Sequence, residues 1–393
     1  MNQPLLTNDA VVLGVLMAIL GFIFYTNTLK TGFWPRFYKF LPMLLLCYLL
    51  PAIATTVGLI APEWLNLDAM IEGFKAMGKP LPDEITTDQV KAMLDNKELT
   101  YKEVAPYKEK NSLYFVASRY FLPASLILLT LSIDLKEIFK LGPKALIMFI
   151  TGTIGVIIGG PLAILITATF APEAVGGAGP EAIWRGMSTI AGSWIGGGAN
   201  QAAMYEIFEP TDGLYSTMII VDVIIAEIWM FFLLLGVGQS KRIDRFFKAD
   251  SSSVKELTEK MQEFTKRIAR IPSLNDLFVI LGIAMTVTGL SHFIADNLAP
   301  WIKEVAPQLQ RFSLTSHFFW LIVFSTTFGL ILSFTKARQY EGAGASRIGS
   351  VFIYFLVATI GMKMNFIEII HHWKILIVGI IWMAIHVGLM IIV

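Results

Sequence analysis

The chain has 393 residues, of which 55% are hydrophobic and only 16% charged, with a mean hydropathy of +0.64. Soluble domains carry about 25% charged residues, so a water-exposed globule is excluded as the home for this much apolar surface. The net charge of +1 gives no field for nucleic acid, and the single cysteine, Cys47, leaves no disulfide framework and no cysteine-based metal site.

In chain order, apolar blocks fall at residues 11–29, 40–60, 113–133, 145–170, 214–237, 277–294, 318–334, 348–360 and 375–393. Each approaches the length that crosses a bilayer core of roughly 30 Å as a helix. Backbone groups in lipid must pair within their own segment, and the period-2 alternation of a barrel is absent. The pattern predicts an all-α polytopic membrane protein. Residues 1–9 carry no basic run, so the first block reads as a retained helix and not as a cleaved signal.

The connection after the first block holds Lys30, Arg36 and Lys39 and no acid, which places it in the cytoplasm and the N-terminus outside. Residues 61–112, with ten acids and seven lysines, form an extracytoplasmic insertion with weak helical character at 87–96. Residues 134–144 are then inside and 171–185 outside.

Residues 187–208 are apolar enough to be buried, but Gly196, Gly197 and Gly198 interrupt them. Each glycine costs about 1 kcal/mol relative to alanine in a helix interior, so a continuous helix is not expected. A re-entrant hairpin keeps the basic segment 240–272 in the cytoplasm and the acidic exit Glu206, Glu209 and Asp212 outside. Two half-helices meeting at the glycines leave backbone groups that protein or a water-filled cavity must satisfy. The N-terminus of the second half suits an anion. Ser193, Gly196, Gly197, Gly198, Asn200 and Gln201 are therefore the candidate substrate-binding residues. Close helix packing by small residues is the alternative use of the same segment.

Asp222 and Glu227 lie within the block 214–237, and acids inside a span are functional by default. Asp222 could ligate Na+ or carry a proton. Glu227 follows about 140° further around the helix, so the two need not share a site. The alternative for each is pairing with a buried cation such as Arg119, or a protonated, hydrogen-bonded acid. Residues 239–272 hold nine Lys/Arg against five acids, and Val254, Leu257, Met261, Phe264 and Ile268 form a helical stripe. They predict a cytoplasmic amphipathic linker at the membrane surface. Thr286, Thr288 and Ser291, and Ser325, Thr326 and Thr327, are possible cation ligands, although back-bonding to their own helices is the commoner use. The histidines lack metal spacing, and no Walker loop, HExxH or GxSxG is present, so no enzyme and no cofactor beyond a coupling ion, Na+ or H+, is predicted.

Residues 131–144 and 362–374 are weakly alike: Asp134 aligns with Asn365 and Glu137 with Glu368. Charge bias places the first joint inside and the second outside, the arrangement of inverted-topology repeats. The first repeat of about five helices spans 1–238 and the second 273–393. The second stops within an apolar run and reads as incomplete.

These residues carry a family likeness. STIAGSWIGGGANQAAM (188–204), followed by VDVIIAEIW (221–229), resembles the bacterial membrane family called domain of unknown function 819, over most of the chain. FLVATIGMKMNFIEII (355–370) resembles a stretch of sodium:glutamate symporters, whose Ser-Gly-Gly hairpin tip maps onto Ile195-Gly196-Gly197, matching the glycines but not the serine. The resemblance implies a sodium-coupled symporter architecture with a re-entrant hairpin in each half, assembled as a homodimer. The resulting expectation is a secondary active transporter of the cytoplasmic (inner) membrane for a small anionic organic solute, an amino acid or short peptide, with the lipid bilayer as its surroundings. A cation/proton antiporter, or a membrane sensor or scaffold using residues 61–112, are the alternatives.

Overall fold

The computed structural model describes residues 4–79, 81–82, 84–96, 98–133, 143–237, 259, 262–263, 266, 268–364 and 374–393. The repeat joints at 134–142 and 365–373, and most of the expected amphipathic linker, lie outside these residues. The described chain is mostly helical. Six helices among the described residues are long and apolar enough to cross a membrane: Asp9–Thr28, Leu113–Leu131, Pro143–Ala168, Asp212–Met230, Leu274–Val305 and Ile375–Ile392. His317–Ser333 joins them if it is counted with Lys336–Ala343, which bends away at 95°. The chain divides into two compact units, Met1–Ser118 with Tyr354–Phe366, and Arg119–Ile353 with Ile367–Val393.

The first unit opens with α1 (Asp9–Thr28), whose first amides are capped by the Asn8 side chain. One stripe, Val12, Leu16, Leu20, Ile23 and Thr26, is buried, while Met17, Phe22, Phe24 and Tyr25 face outward. An apolar helix with one packed stripe and an oily outer face fits a lipid surround. After α2 (Trp34–Phe40), α3 (Met43–Thr56) is shorter than the expected block 40–60. Pro42 sets its start, and the chain turns at Gly58, where φ is +76°.

The insertion is more than weak helix. β1 (Glu63–Leu65) and β2 (Lys108–Lys110) pair antiparallel, Glu63 opposite Lys110 and Leu65 opposite Lys108. This small sheet is a departure from the all-α expectation. Between the strands lie α4 (Leu67–Ala76), α5 (Thr87–Asp95) and the short α6 (Tyr101–Val104). The Thr86–Gln89 capping box starts α5. Met70, Phe74, Val90, Leu94 and Val104 form a core inside the insertion itself.

The second unit takes up α7 (Leu113–Leu131) from Arg119 onward. Ala117–Phe121 of α7 form a π-helical turn ahead of Pro123. Pro123 has no N–H to give, which frees the Arg119 carbonyl, and the His292 Nε2 takes it at 2.8 Å. α8 (Pro143–Ala168) lies along the chain's last helix, Ile375–Ile392, through a glycine face. A Cβ at Gly159 would come within 2.7 Å of Trp382, so only glycine permits this approach. The remaining helices of the unit are α9 (Ile183–Gly196), α10 (Gly198–Phe208), α11 (Asp212–Val237), α12 (Leu274–Val305), α13 (His317–Ser333), α14 (Ala345–Gly361, which continues into the first unit) and α15 (Ile375–Ile392).

Candidate functional site

The glycine-broken segment folds as a helical hairpin. It starts at Ile183, four residues before the expected 187. α9 ends where Gly197 adopts φ +81° and ψ −176°, a conformation open to glycine and strained for other residues. α10 begins at the next residue with no side-chain cap, and the Asn200 and Gln201 amides both donate to the Gly197 carbonyl, which leaves those of Gly198 and Ala199 ahead of the first helical bonds. At the open end, the Arg185 guanidinium donates to the Phe208 carbonyl, and the Trp184 and Phe208 rings meet edge to face at 5.7 Å. The two arms therefore return to a common base.

The glycines have separate jobs. A Cβ at Gly192 would sit 2.7 Å from Met204, and one at Gly196 would overlap the Asn200 amide. Both are packing positions, as the small-residue alternative holds. Gly197 makes the turn, and Gly198 has open space beside it at an ordinary φ. Asn200 is thus placed against Gly196.

Asp222, on α11, is 8% exposed. The Trp194 indole Nε1 donates to its Oδ1 at 2.7 Å, and the Gln201 amide donates to its Oδ2 at 3.0 Å. Trp194 comes from the first arm, where it follows Ser193, and Gln201 from the second, so both arms are fastened to one carboxylate. Trp194 in turn packs on Trp382 with ring centroids 4.7 Å apart, and Trp382 donates to the Val156 carbonyl at 2.9 Å. Neither tryptophan stood out in the sequence, where each reads as one more apolar residue.

The suggested Asp222–Arg119 pair is not formed. Arg119 meets Glu206 at 2.8 Å, near the end of α10, and lies over the Phe318 ring at 4.5 Å. Glu227 lies on α11 beyond Asp222, and its side chain is outside the described ones. Among the described residues, no three His, Cys, Asp or Glu side chains converge as a metal site.

Beside the hairpin runs a groove of about 500 Å³, walled by Pro161, Met187, Ile195, Met204, Phe208 and Trp382, with the polar groups of Ser188 and Asn200 also on its lining. Its chemistry suits a small molecule with an apolar body and a few hydrogen-bonding groups.

Comparison with known proteins adds a family. No solved structure matches the chain. An uncharacterized membrane protein of Bacillus subtilis (strain 168), YjcL, is 23% identical over 279 residues, which cover 68% of this chain and 64% of that protein. The chain thus spans somewhat less than two thirds of that relative's length. With its apolar helices, the likeness marks a multi-pass membrane protein. The family described as "Protein of unknown function (DUF819)" matches residues 104–393, the whole hairpin and Asp222 among them, and this chain belongs to that family.

Proposed function

We propose that the chain is a secondary active transporter in which a cation, Na+ or H+, acting at Asp222 drives symport of a small anionic organic solute, an amino acid or short peptide. The observation that carries this is the joint hold of Trp194 and Gln201, one from each arm, on the two oxygens of Asp222. Two donors facing one carboxylate make the hairpin tip responsive to what Asp222 binds. A proton on either oxygen turns an acceptor into a donor facing a donor, so that contact must rearrange. Na+ at the same oxygens competes with the N–H groups for their lone pairs. Either event alters the hairpin's attachment to α11, and the uncapped start of α10 then receives the solute's carboxylate. The apolar groove alongside accommodates its body.

The hairpin is re-entrant in this proposal. Its arms have 14 and 11 residues, about 21 and 16 Å at 1.5 Å per residue, each short of a bilayer core of roughly 30 Å. The surrounding scheme is the inverted repeat, assembled as a homodimer in the inner membrane with the N-terminus outside. A cation/proton antiporter is the second reading. It is favoured by the neutral partners of Asp222, which leave a proton as the simplest charge to balance that carboxylate. A thermal-shift screen of carboxylate solutes with and without Na+ tests the proposal, because a ligand raises stability by mass action. Solute stabilisation that requires Na+ or low pH supports symport. Stabilisation by cations alone, with no organic solute acting, favours the antiporter.

A further inference from the structure

Buried hydroxyls on α7, α12 and α13 mostly donate to their own helix. Ser125 bonds the Leu122 carbonyl at 2.6 Å, Ser291 that of Val287 at 2.8 Å, and Ser333 that of Leu330 at 2.7 Å. This back-bond is the ordinary resting state of serine and threonine in a helix. Thr288 on α12 and Ser325 on α13 depart from it. They are 2% and 0% exposed, and neither Oγ has a hydrogen-bond partner among the described residues. A buried hydroxyl left unpaired is unfavourable when a back-bond is one side-chain rotation away.

The two belong to one level of the same three-helix packing. His317 Nε2 and Asp296 Oδ1 meet at 3.0 Å, which fixes the register of α12 against the returning α13. About two helical turns inward from that contact on each helix come Thr288 and Ser325. α7 is tied to the same register twice: the Arg119 carbonyl meets His292, and the Arg119 guanidinium lies over Phe318. One turn beyond Arg119 is Pro123, followed by Ser125. Further along, a Cβ on Gly329 would be only 3.0 Å from Ile127, so α13 and α7 lie close through this level. Ser291, fully buried and one turn from Thr288 on the packed face of α12, brings a third hydroxyl oxygen whose lone pairs remain open while it donates to Val287.

We propose that Thr288, Ser325 and Ser291 hold a monovalent cation, Na+, between α12 and α13 where they pack on α7. Neutral oxygens are hard ligands that suit alkali cations, and a divalent ion would call for carboxylates in its shell. Of the charged groups nearest in register, Arg119 is paired with Glu206, and Asp296 is solvent-exposed beside His317. This cation is additional to anything bound at Asp222, and its site does not depend on the hairpin reading.

The test is thermal unfolding of the purified full-length protein in NaCl against choline chloride at equal ionic strength. A bound ion well above its Kd moves the midpoint by a few degrees. The wild-type protein should show that sodium shift. Thr288→Val and Ser325→Ala should each reduce it by at least about a third, leaving what Asp222 contributes, and Thr288→Ser, which restores a hydroxyl, should retain it. Thr288→Val should also be no less stable than wild type in choline, since it removes an unpaired hydroxyl and keeps the shape. A full sodium shift in both Thr288→Val and Ser325→Ala overturns the proposal, leaving these positions as a buried water or a packing defect. So does a wild-type protein with no sodium shift. Asp222→Asn separates the two sites: a shift lost there but intact in Thr288→Val belongs to the hairpin and overturns only the present proposal, whereas one intact there and lost in Thr288→Val places the ion between α12 and α13.

Discussion

Gln201 donates to the Oδ2 of Asp222 at 3.0 Å while Trp194, from the opposite arm of the same hairpin, donates to Oδ1 at 2.7 Å. The hairpin tip is therefore held by a single acidic side chain on α11, and the strength of that hold depends on its charge. Hydrogen bonds to an ionised group contribute about 1.5–3 kcal/mol, roughly twice the neutral value. Asp222→Asn keeps the size and one acceptor but presents an amide N–H₂ to a second donor. The variant should remain monodisperse, unfold at a lower temperature, and lose cation-dependent uptake in proteoliposomes by about tenfold or more. Uptake equal to wild type would remove Asp222 from the transport mechanism.

The glycines at the tip give a graded prediction. At Gly197, φ is +81° and ψ −176°, so alanine there should cost about 1–3 kcal/mol in backbone strain and impair uptake. At Gly196 a methyl group would collide with the Asn200 amide, so Gly196→Ala should also be destabilising. Gly198 has an ordinary φ and free space, and Gly198→Ala should be neutral or stabilising by up to about 1 kcal/mol. Thermal midpoints of the three variants check the order. Equal effects at all three would mean that the turn is not located at Gly197.

The sequence marks some of the residues around Asp222, but it does not show which of them meet there. A broken span marks Ser193, Gly197 and Gln201, and an acid within a span marks Asp222, because each violates a local rule of membrane helices. That Gln201 reaches Asp222 is a matter of how α10 and α11 pack, which no periodicity encodes. Trp194 was hidden because hydropathy counts its ring and ignores its indole N–H. The Glu63–Leu65 and Lys108–Lys110 strands escaped for a different reason. They have three residues each, Glu-Trp-Leu and Lys-Glu-Lys, too short to show alternation, and the second is wholly charged. Their pairing follows from chain closure around the insertion core of Phe74, Val90 and Val104.

That insertion carries a pH prediction. The Glu103 carboxylate accepts from the Thr100 hydroxyl at 2.7 Å, from the Thr100 amide at 2.9 Å and from Lys79 at 3.1 Å. Bonds from Thr100 first, then Lys79, bring its pKa down to about 2. A depressed folded pKa gives stability that is fully present above the unfolded value, about 4.3, and is lost as pH falls from there toward 2. Pepsin cleavage of the full-length protein near residues 98–104 should therefore accelerate as pH is lowered through that window. Thr100→Val removes the principal donor and should move the onset to higher pH. An unchanged onset in Thr100→Val would show that this carboxylate does not anchor the insertion.

The direction of the hairpin is open to a labelling experiment. Glu181 precedes α9 and Glu209 follows α10, and both are exposed. The backbone already joins these ends, since the Thr211 amide donates to the Pro180 carbonyl at 3.1 Å. With the ends bonded to one another and a bilayer core of roughly 30 Å, the proposed re-entrant hairpin predicts that both are reached from one side. The only native cysteine, Cys47, is buried, so Cys47→Ala gives a clean background. In that background Glu181→Cys and Glu209→Cys should react with a membrane-impermeant maleimide from the same side, the side that also labels Lys79→Cys in the insertion. Reaction of Glu181→Cys and Glu209→Cys from opposite sides would make the segment a complete crossing. The orientation of every later helix would then reverse, and with it the inverted relation of the two halves on which the solute site at the start of α10 is proposed.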